Sequence, residues 1–429
     1  MNTQLLREEL FSGKFDRVFQ YLYSEKSPGQ RARYAAAAEA FEKLFGQGRE
    51  AELFSAPGRT EIGGNHTDHQ HGCVLAAGVN LDVIAVASKN SEQVIRIQSE
   101  GFPMDTIDLG DLSVQAAEKN QAAALIRGVA ARMKQLGYPV GGFDAYTTSN
   151  VLKGSGLSSS AAFEVLVGTI LNHLYAKAKS DPVEIAQIGQ YAENVYFGKP
   201  CGLMDQTASS VGGFVAIDFC DPAHPVVEKV GFDFAASGYK LCIVDTGGDH
   251  ADLTADYAAM PAEMKSVAAV FGKEVLRDVL PEEFYKNLAK VRVQCTDRAI
   301  LRAFHFFADN ERAPKEAEAL RRGDFAEFKR LIIESGRSSF MYLQNCSTFR
   351  SAKEQGIPLA LALSEHILKD RGAWRVHGGG LAGTIQCFVP SDMLENYQHR
   401  IESVFGPGSC HVLSIRPAGG VKVSEELLK

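Results

Sequence analysis

Apolar positions at helical spacing dominate the start of the chain. In YAAAAEAFEKLFGQG, residues 34–48, they punctuate a run rich in Ala, Glu and Leu that ends on glycine. This predicts a helix with a glycine stop, and residues 1–30 read as a helical extension ahead of it. From residue 51 to about 235 the pattern changes. Short β-branched runs, VLAAGVNLDVIAVAS (74–88) and FVAIDF (214–219), alternate with helical text such as AAFEVLVGTILNHLYAKA. The fold class is therefore α/β (α+β). A new strand, YKLCIVDTG (239–247), follows the loop-like FDFAASG and opens a second domain. Its predicted helices cover 296–309, 313–335 and 357–369, and a glycine-rich turn at 378–383 leads into the apolar run TIQCFV (384–389). The domains are expected at 1–235 and 236–429.

Composition narrows the function. Of 429 residues, 45% are hydrophobic and 23% charged, enough apolar content for two cores. A net charge of −7 with no basic stripe argues against nucleic acid as a partner. No run approaches the ~18 apolar residues that span a bilayer, and MNTQLLREELFSGKFDR lacks the apolar core of a signal peptide. A cytoplasmic protein with no membrane partner is expected, with monomer the favoured state. The eight cysteines show no C-x-x-C pair and read as reduced, mostly buried thiols.

The sharpest local feature is VLKGSGLSSSAAFEVLVG (151–168), two glycines and three serines between a β-like segment and a helical one. Backbone N–H groups at such a helix start, with serine hydroxyls beside them, can bind phosphate oxygens. Alone, the pattern fits helix capping by Ser158, Ser159 and Ser160 equally well. It is neither a G-x-x-x-x-G-K-[ST] loop nor a G-x-G-x-x-G turn, and no H-R-D or D-F-G occurs.

Two further stretches carry polar residues where a core would not: APGRTEIGGNHTDHQHG (56–72) and AENVYFGKPCGLMDQTAS (192–209). Arg59, Asn65, His66 and Asp68 crowd between glycines in the first. In the second, Asp205 stands among Cys201, Leu203 and Met204, a carboxylate in a partly apolar setting or a helix cap.

These motifs together resemble the GHMP kinases and, within them, the galactokinase family. GRTEIGGNHTDH (58–69) follows the signature G-R-x-N-L-I-G-E-H-T-D-Y, and GSGLSSSA (154–161) follows the ATP loop G-x-G-L-S-S-S-A. Residues 192–206 match A-E-x-x-x-x-G-x-P-C-G-x-M-D-Q, and GGGLAG (378–383) matches G-G-G-F-G-G. The resemblance implies an N-terminal domain like ribosomal protein S5, a ferredoxin-like C-terminal domain and an active site between them. It implies ATP-dependent phosphorylation of the C1 hydroxyl of galactose, with ATP and Mg²⁺ as cofactors and a small sugar as partner. Asp205 would be the proton acceptor and Arg59 the cation beside it. Asn65, His66, Asp68, Gly202 and Tyr257 would meet the sugar. Gly154, Ser155, Gly156, Leu157, Ser158, Ser159, Ser160 and Ala161 would bind ATP, and Ser160 with Glu193 the metal.

The chain departs from the signature at Asn65, where it carries glutamate, and at His69, Leu152, Asp249, Leu381 and Ala382. An amide facing C6 of the sugar would repel a carboxylate less than glutamate does. Galacturonate and N-acetylgalactosamine are therefore alternative substrates. A silent, sugar-sensing relative is a further alternative, although Ser158 to Ala161 and Asp205 are intact.

Overall fold

Three helices, Thr3–Ser12, Asp16–Tyr23 and Pro28–Phe45, precede the first strand in the computed structural model, which describes residues 1–428 except 25–27, 153, 154, 200, 249–252, 348–351 and 382. The Asn2 side chain caps the first helix at Gln4 N, and Gly13 ends it in the left-handed conformation that glycine takes without strain. Leu10, Phe19, Tyr34 and Phe41 from these helices bury against Leu53, Ile84 and Val86 of the sheet beneath. The buried carboxylate of Asp82 fixes the extension there. It accepts from Tyr23 Oη at 2.6 Å, Arg33 Nη1 at 2.5 Å and Arg416 Nη1 at 2.9 Å.

The first sheet contains β1 (Glu52–Gly63), β2 (Cys73–Lys89), β3 (Val94–Ser99), β4 (Met104–Asp108), β5 (Phe143–Ser149), β6 (Phe214–Asp218) and β7 (Val226–Val230). Its order is β12-β1-β2-β5-β3-β4, where β12 is Val421–Lys422. β2 runs to 17 residues, long enough for its first half to pair with β6 and its second with β5. Helices Ala122–Gln135, Ser159–Leu174 and Pro182–Tyr191 give Ile126, Leu166, Ile170 and Ile188 to the core against it.

The second sheet is antiparallel, in the order β11-β8-β10-β9, from β8 (Tyr239–Asp245), β9 (Ala373–Val376), β10 (Thr384–Pro390) and β11 (Cys410–Leu413). Helices Gly356–Leu368 and Leu394–Phe405 bury Ile357, Ile367, Tyr397 and Ile401 against it. After β11 the chain returns to the first sheet, bridging Ile415 to Val79 and pairing β12 with β1. The final segment thus packs with residues on the far side of the expected 235/236 boundary.

One helix boundary differs from expectation. Helix Asp297–Arg321 runs straight through Pro314, and the break comes at Gly323, left-handed at φ 68°. Asp324 then caps helix Phe325–Ser338 at Glu327 N. Glycine and the Asp cap set the break, past the gap expected between 309 and 313. Among the described residues, no helix is long and apolar enough to cross a membrane.

Candidate active site

Arg59 lies on β1 between register shifts at Pro57/Arg59 and Glu61/Gly63, irregularities of the kind that re-aim side chains out of a regular ladder. It thus stands on a strand, not in the turn that the glycines around it suggest. Its Nε and Nη2 donate to Asp205 Oδ1 and Oδ2 at 2.7 and 2.6 Å, and Nη1 donates to the carbonyl of Gly156. The side chain of Arg59 is 9% exposed and that of Asp205 30%, so the carboxylate faces out and the guanidinium backs it. Burial alone would raise the Asp205 carboxyl; the charge and hydrogen bonds of Arg59 outweigh it and hold the group below its ordinary range. Asp205 is an ionised acceptor in the first turn of helix Met204–Val211.

Gly156 and Ser158 are both left-handed, at φ 71° and 54°, and turn the chain into helix Ser159–Leu174. Buried Leu157 anchors the bend, its carbonyl accepting from Arg59 N at 3.0 Å. Ser158 makes no side-chain cap and is among the groups that lower the Asp205 pKa, after Arg59. Ser155 Oγ donates to Leu152 O at 2.9 Å. Ser159, Ser160 and Ala161 form the first helical turn, whose N–H groups have no intrahelical acceptor. Gly154, Asp249 and Ala382 lie outside the described residues.

Ser160 Oγ donates to Glu193 Oε1 at 3.4 Å. Glu193 sits in a π-helical turn, Ala192–Phe197, closed by left-handed Gly198. Its Oε2 accepts from Gln206 Nε2 at 2.8 Å, and the same nitrogen donates to Glu164 Oε2 at 3.0 Å. Burial, with the Glu193 charge second, pushes the Glu164 carboxyl well above the usual range. Two hard oxygens, Ser160 Oγ and Glu193 Oε1, suit Mg²⁺, which takes few protein ligands and completes its shell with phosphate and water. Among the described residues, no three His, Cys, Asp or Glu side chains converge on a metal position.

On the opposite flank, His66 Nε2 lies 3.1 Å from the Gly379 carbonyl. A carbonyl only accepts, so Nε2 carries the proton and Nδ1 is the acceptor end. Burial first, then His69, lowers the ring's pKa to about 4. Asp68 Oδ2 lies over Gly202, where a Cβ would fall 2.5 Å from it. Tyr257 Oη donates to Gly380 O at 2.7 Å. Asn65 is placed differently from the sugar-facing expectation. It is fully buried, its Nδ2 donating to Glu61 Oε1 and Gly378 O, both at 2.8 Å. Its Oδ1 accepts from Asn345 Nδ2 at 2.8 Å and Ser339 Oγ at 3.3 Å. Both ends of the amide are spent inside the protein, behind the loop that carries His66 and Asp68.

Several residues of this region escape sequence reasoning. Glu61 occupies the signature's asparagine position, a signal readable from the motif itself. Lys199, whose Nζ is 3.2 Å from Glu193 Oε1, fills an unspecified position of its motif, and nothing local marks His377 or Glu164.

Residues 124–213 match the family described as GHMP kinases N terminal domain, and residues 39–89 the galactokinase galactose-binding signature. The chain is 30% identical over 371 residues to the galactokinase of Actinobacillus pleuropneumoniae serotype 5b (strain L20), covering 85% of this chain and 92% of that one. It is 29% identical over 388 residues to the galactokinase of Streptomyces coelicolor, covering 90% and 97%. Among solved structures, Lactococcus lactis galactokinase complexed with galactose superposes with a TM-score of 0.77 at 24% identity, over 91% of this chain and all of that one, a likeness of fold. With both diagnostic stretches matched and the relatives covered almost end to end, the chain belongs to the galactokinase family of GHMP kinases.

Proposed function

We propose that the chain transfers the γ-phosphoryl group of ATP to the anomeric C1 hydroxyl of galactose, yielding galactose 1-phosphate and ADP. The observation that carries this is the forked Arg59–Asp205 pair, set between the loop at Gly156 to Ala161 and the flank formed by Asp68 and Gly202.

The chemistry follows from charge and position. Asp205, ionised and partly open, accepts the proton of the C1 hydroxyl as its oxygen attacks the γ-phosphorus and the bond to the β-phosphate oxygen breaks. Arg59 stays charged throughout and offsets negative charge developing on the sugar oxygen and the transferring group. The first turn of helix Ser159–Leu174 offers N–H donors to phosphate oxygens. Ser160 and Glu193 would hold Mg²⁺, which supplies charge neutralisation on the phosphates when bound. Asp68, and His66 through Nδ1, offer acceptors to sugar hydroxyls. The family's relatives, named as galactokinases, support galactose as the acceptor.

The test is ATP consumption with galactose, N-acetylgalactosamine, galacturonate, arabinose and glucose. Galactose should give the highest kcat/KM. Turnover led by another sugar, or none with galactose, sinks the reading.

A further inference from the structure

His377 follows β9 at the head of the glycine turn, its ring 2% exposed where the two sheets meet. Thr60 of the first sheet and Thr384 of the second meet its two ring nitrogens. Thr384 Oγ1 lies 3.2 Å from the Ser155 carbonyl, which can only accept, so the Thr384 proton points there. Thr384 Oγ1 must then accept from the ring, and His377 Nδ1, 3.0 Å away, carries the hydrogen. Nε2 is left as the acceptor and takes the Thr60 hydroxyl proton at 3.0 Å. Thr60 Oγ1 in turn accepts from Gln386 Nε2 at 2.6 Å. One directed chain therefore runs from β10 through β1, the His377 ring and Thr384 into the ATP loop. Burial, with Arg59 the next cause, lowers the ring's pKa to about 3, in keeping with a neutral ring. A protonated ring would aim Nε2–H at the Thr60 hydroxyl and break the chain at that link, since Gln386 Nε2 can only donate. The ring also abuts Gly156, where an added Cβ would fall 3.1 Å from Nδ1, and the Gly156 carbonyl is the one that receives Arg59.

We propose that His377, as the neutral Nδ1–H tautomer, is a positioning residue that pins the Ser155–Gly156 bend against Arg59 and so registers the phosphate donor to Asp205. This rests on the phosphate-loop reading above. His377 touches neither substrate; it acts through the loop carbonyls.

Two measurements test it on the full chain. In ¹⁵N-histidine NMR, one of the 11 rings should show a protonated Nδ1 that does not titrate between about pH 5 and 8 and disappears in His377→Gln. An Nε2–H tautomer for that ring, or titration in that window, overturns the proposal. In kinetics, His377→Phe keeps the ring volume and loses both hydrogen bonds. It should raise KM for ATP and lower kcat, each about tenfold, with KM for galactose within about threefold. His377→Gln, which keeps a donor and an acceptor, should recover most of both. Unchanged constants in His377→Phe overturn the proposal. So do equal losses of sugar and ATP affinity that track a fall in Tm. Calorimetry separates the two readings: a wild-type chain that binds no MgATP while the tautomer stands defeats the phosphate-loop assignment and the positioning role with it.

Discussion

Asn65 Nδ2 donates to Glu61 Oε1 at 2.8 Å, with amide and acid on the positions where the galactokinase signature carries acid and amide. The same Oε1 accepts from Arg375 Nη2 at 2.7 Å. Asn65→Glu alone would put two carboxyls in contact out of water and should cost about 3 to 5 kcal/mol of stability. The double exchange Glu61→Asn with Asn65→Glu restores the signature order and should regain at least ~1 kcal/mol through coupling of the pair. Urea midpoints of the four chains measure this; simple additivity would show that the two residues are no pair. Because Asn65 is sealed from solvent, Asn65→Glu should also lower kcat/KM for galactose and galacturonate alike. A tenfold or larger change in their ratio would put residue 65 at the sugar.

Gly202 gives a sharper handle on the sugar flank. A methyl at this position would lie 2.5 Å from Asp68 Oδ2, so Gly202→Ala must move the carboxylate. KM for galactose should rise about tenfold or more while ATP affinity from calorimetry stays put. An unaffected sugar KM would take Asp68 out of the pocket.

Asp205→Asn keeps the side-chain shape and at most one of the two Arg59 bonds, and removes the proton acceptor. Turnover should fall at least ~100-fold with ATP affinity within about threefold. Near-normal turnover would reassign the carboxylate to structure.

What the sequence showed follows from how local each signal is. The ATP loop, the Asp205 stretch and the sugar signature are contiguous runs, legible because glycine turns and serine donors must sit side by side in the chain. Where a side chain ends up is a tertiary matter. Asn65 looks sugar-facing on the signature, but Glu61, Ser339, Asn345 and Gly378, drawn from three separated segments, turn it inward. The His377 chain joins residues 60, 155, 377, 384 and 386, which no spacing rule connects. The expected gap between 309 and 313 is absent because tertiary packing carries helix Asp297–Arg321 through Pro314 despite the local penalty.

The neutral His66 ring makes stability depend on pH. Its pKa is lowered from 6.5 to about 4, chiefly by burial. Above 6.5 the ring is neutral folded and unfolded; between 6.5 and 4 only the unfolded chain takes up the proton. Its stabilising contribution is thus whole above the unfolded value and is lost as pH falls toward the folded one, by at most ~1.4 kcal/mol per unit. His66→Gln cannot titrate, so its urea midpoint should fall less steeply than wild type from about pH 6.5 to 4. Parallel curves would mean a ring charged in the folded protein.

Glu193 and Lys199 should move the metal requirement in opposite directions. Lys199 Nζ stands 3.2 Å from Glu193 Oε1, the oxygen that also faces Ser160. With its side chain 62% exposed, the lysine forms a pair worth at most ~1 kcal/mol, so an arriving divalent cation can displace it. Removing the carboxylate and removing its rival cation then differ in sign. Glu193→Gln should raise the Mg²⁺ concentration for half-maximal turnover about tenfold or more and cut the maximal rate, because the amide oxygen lacks the charge that holds the ion. Lys199→Met should lower that concentration about two- to fivefold, the release of a weak competitor. Magnesium titrations of both variants at saturating ATP and galactose decide the matter. If both shift the same way upward, Lys199 binds phosphate and does not compete with the metal; if neither shifts, the ion sits elsewhere and Glu193 serves the buried network with Gln206 and Glu164.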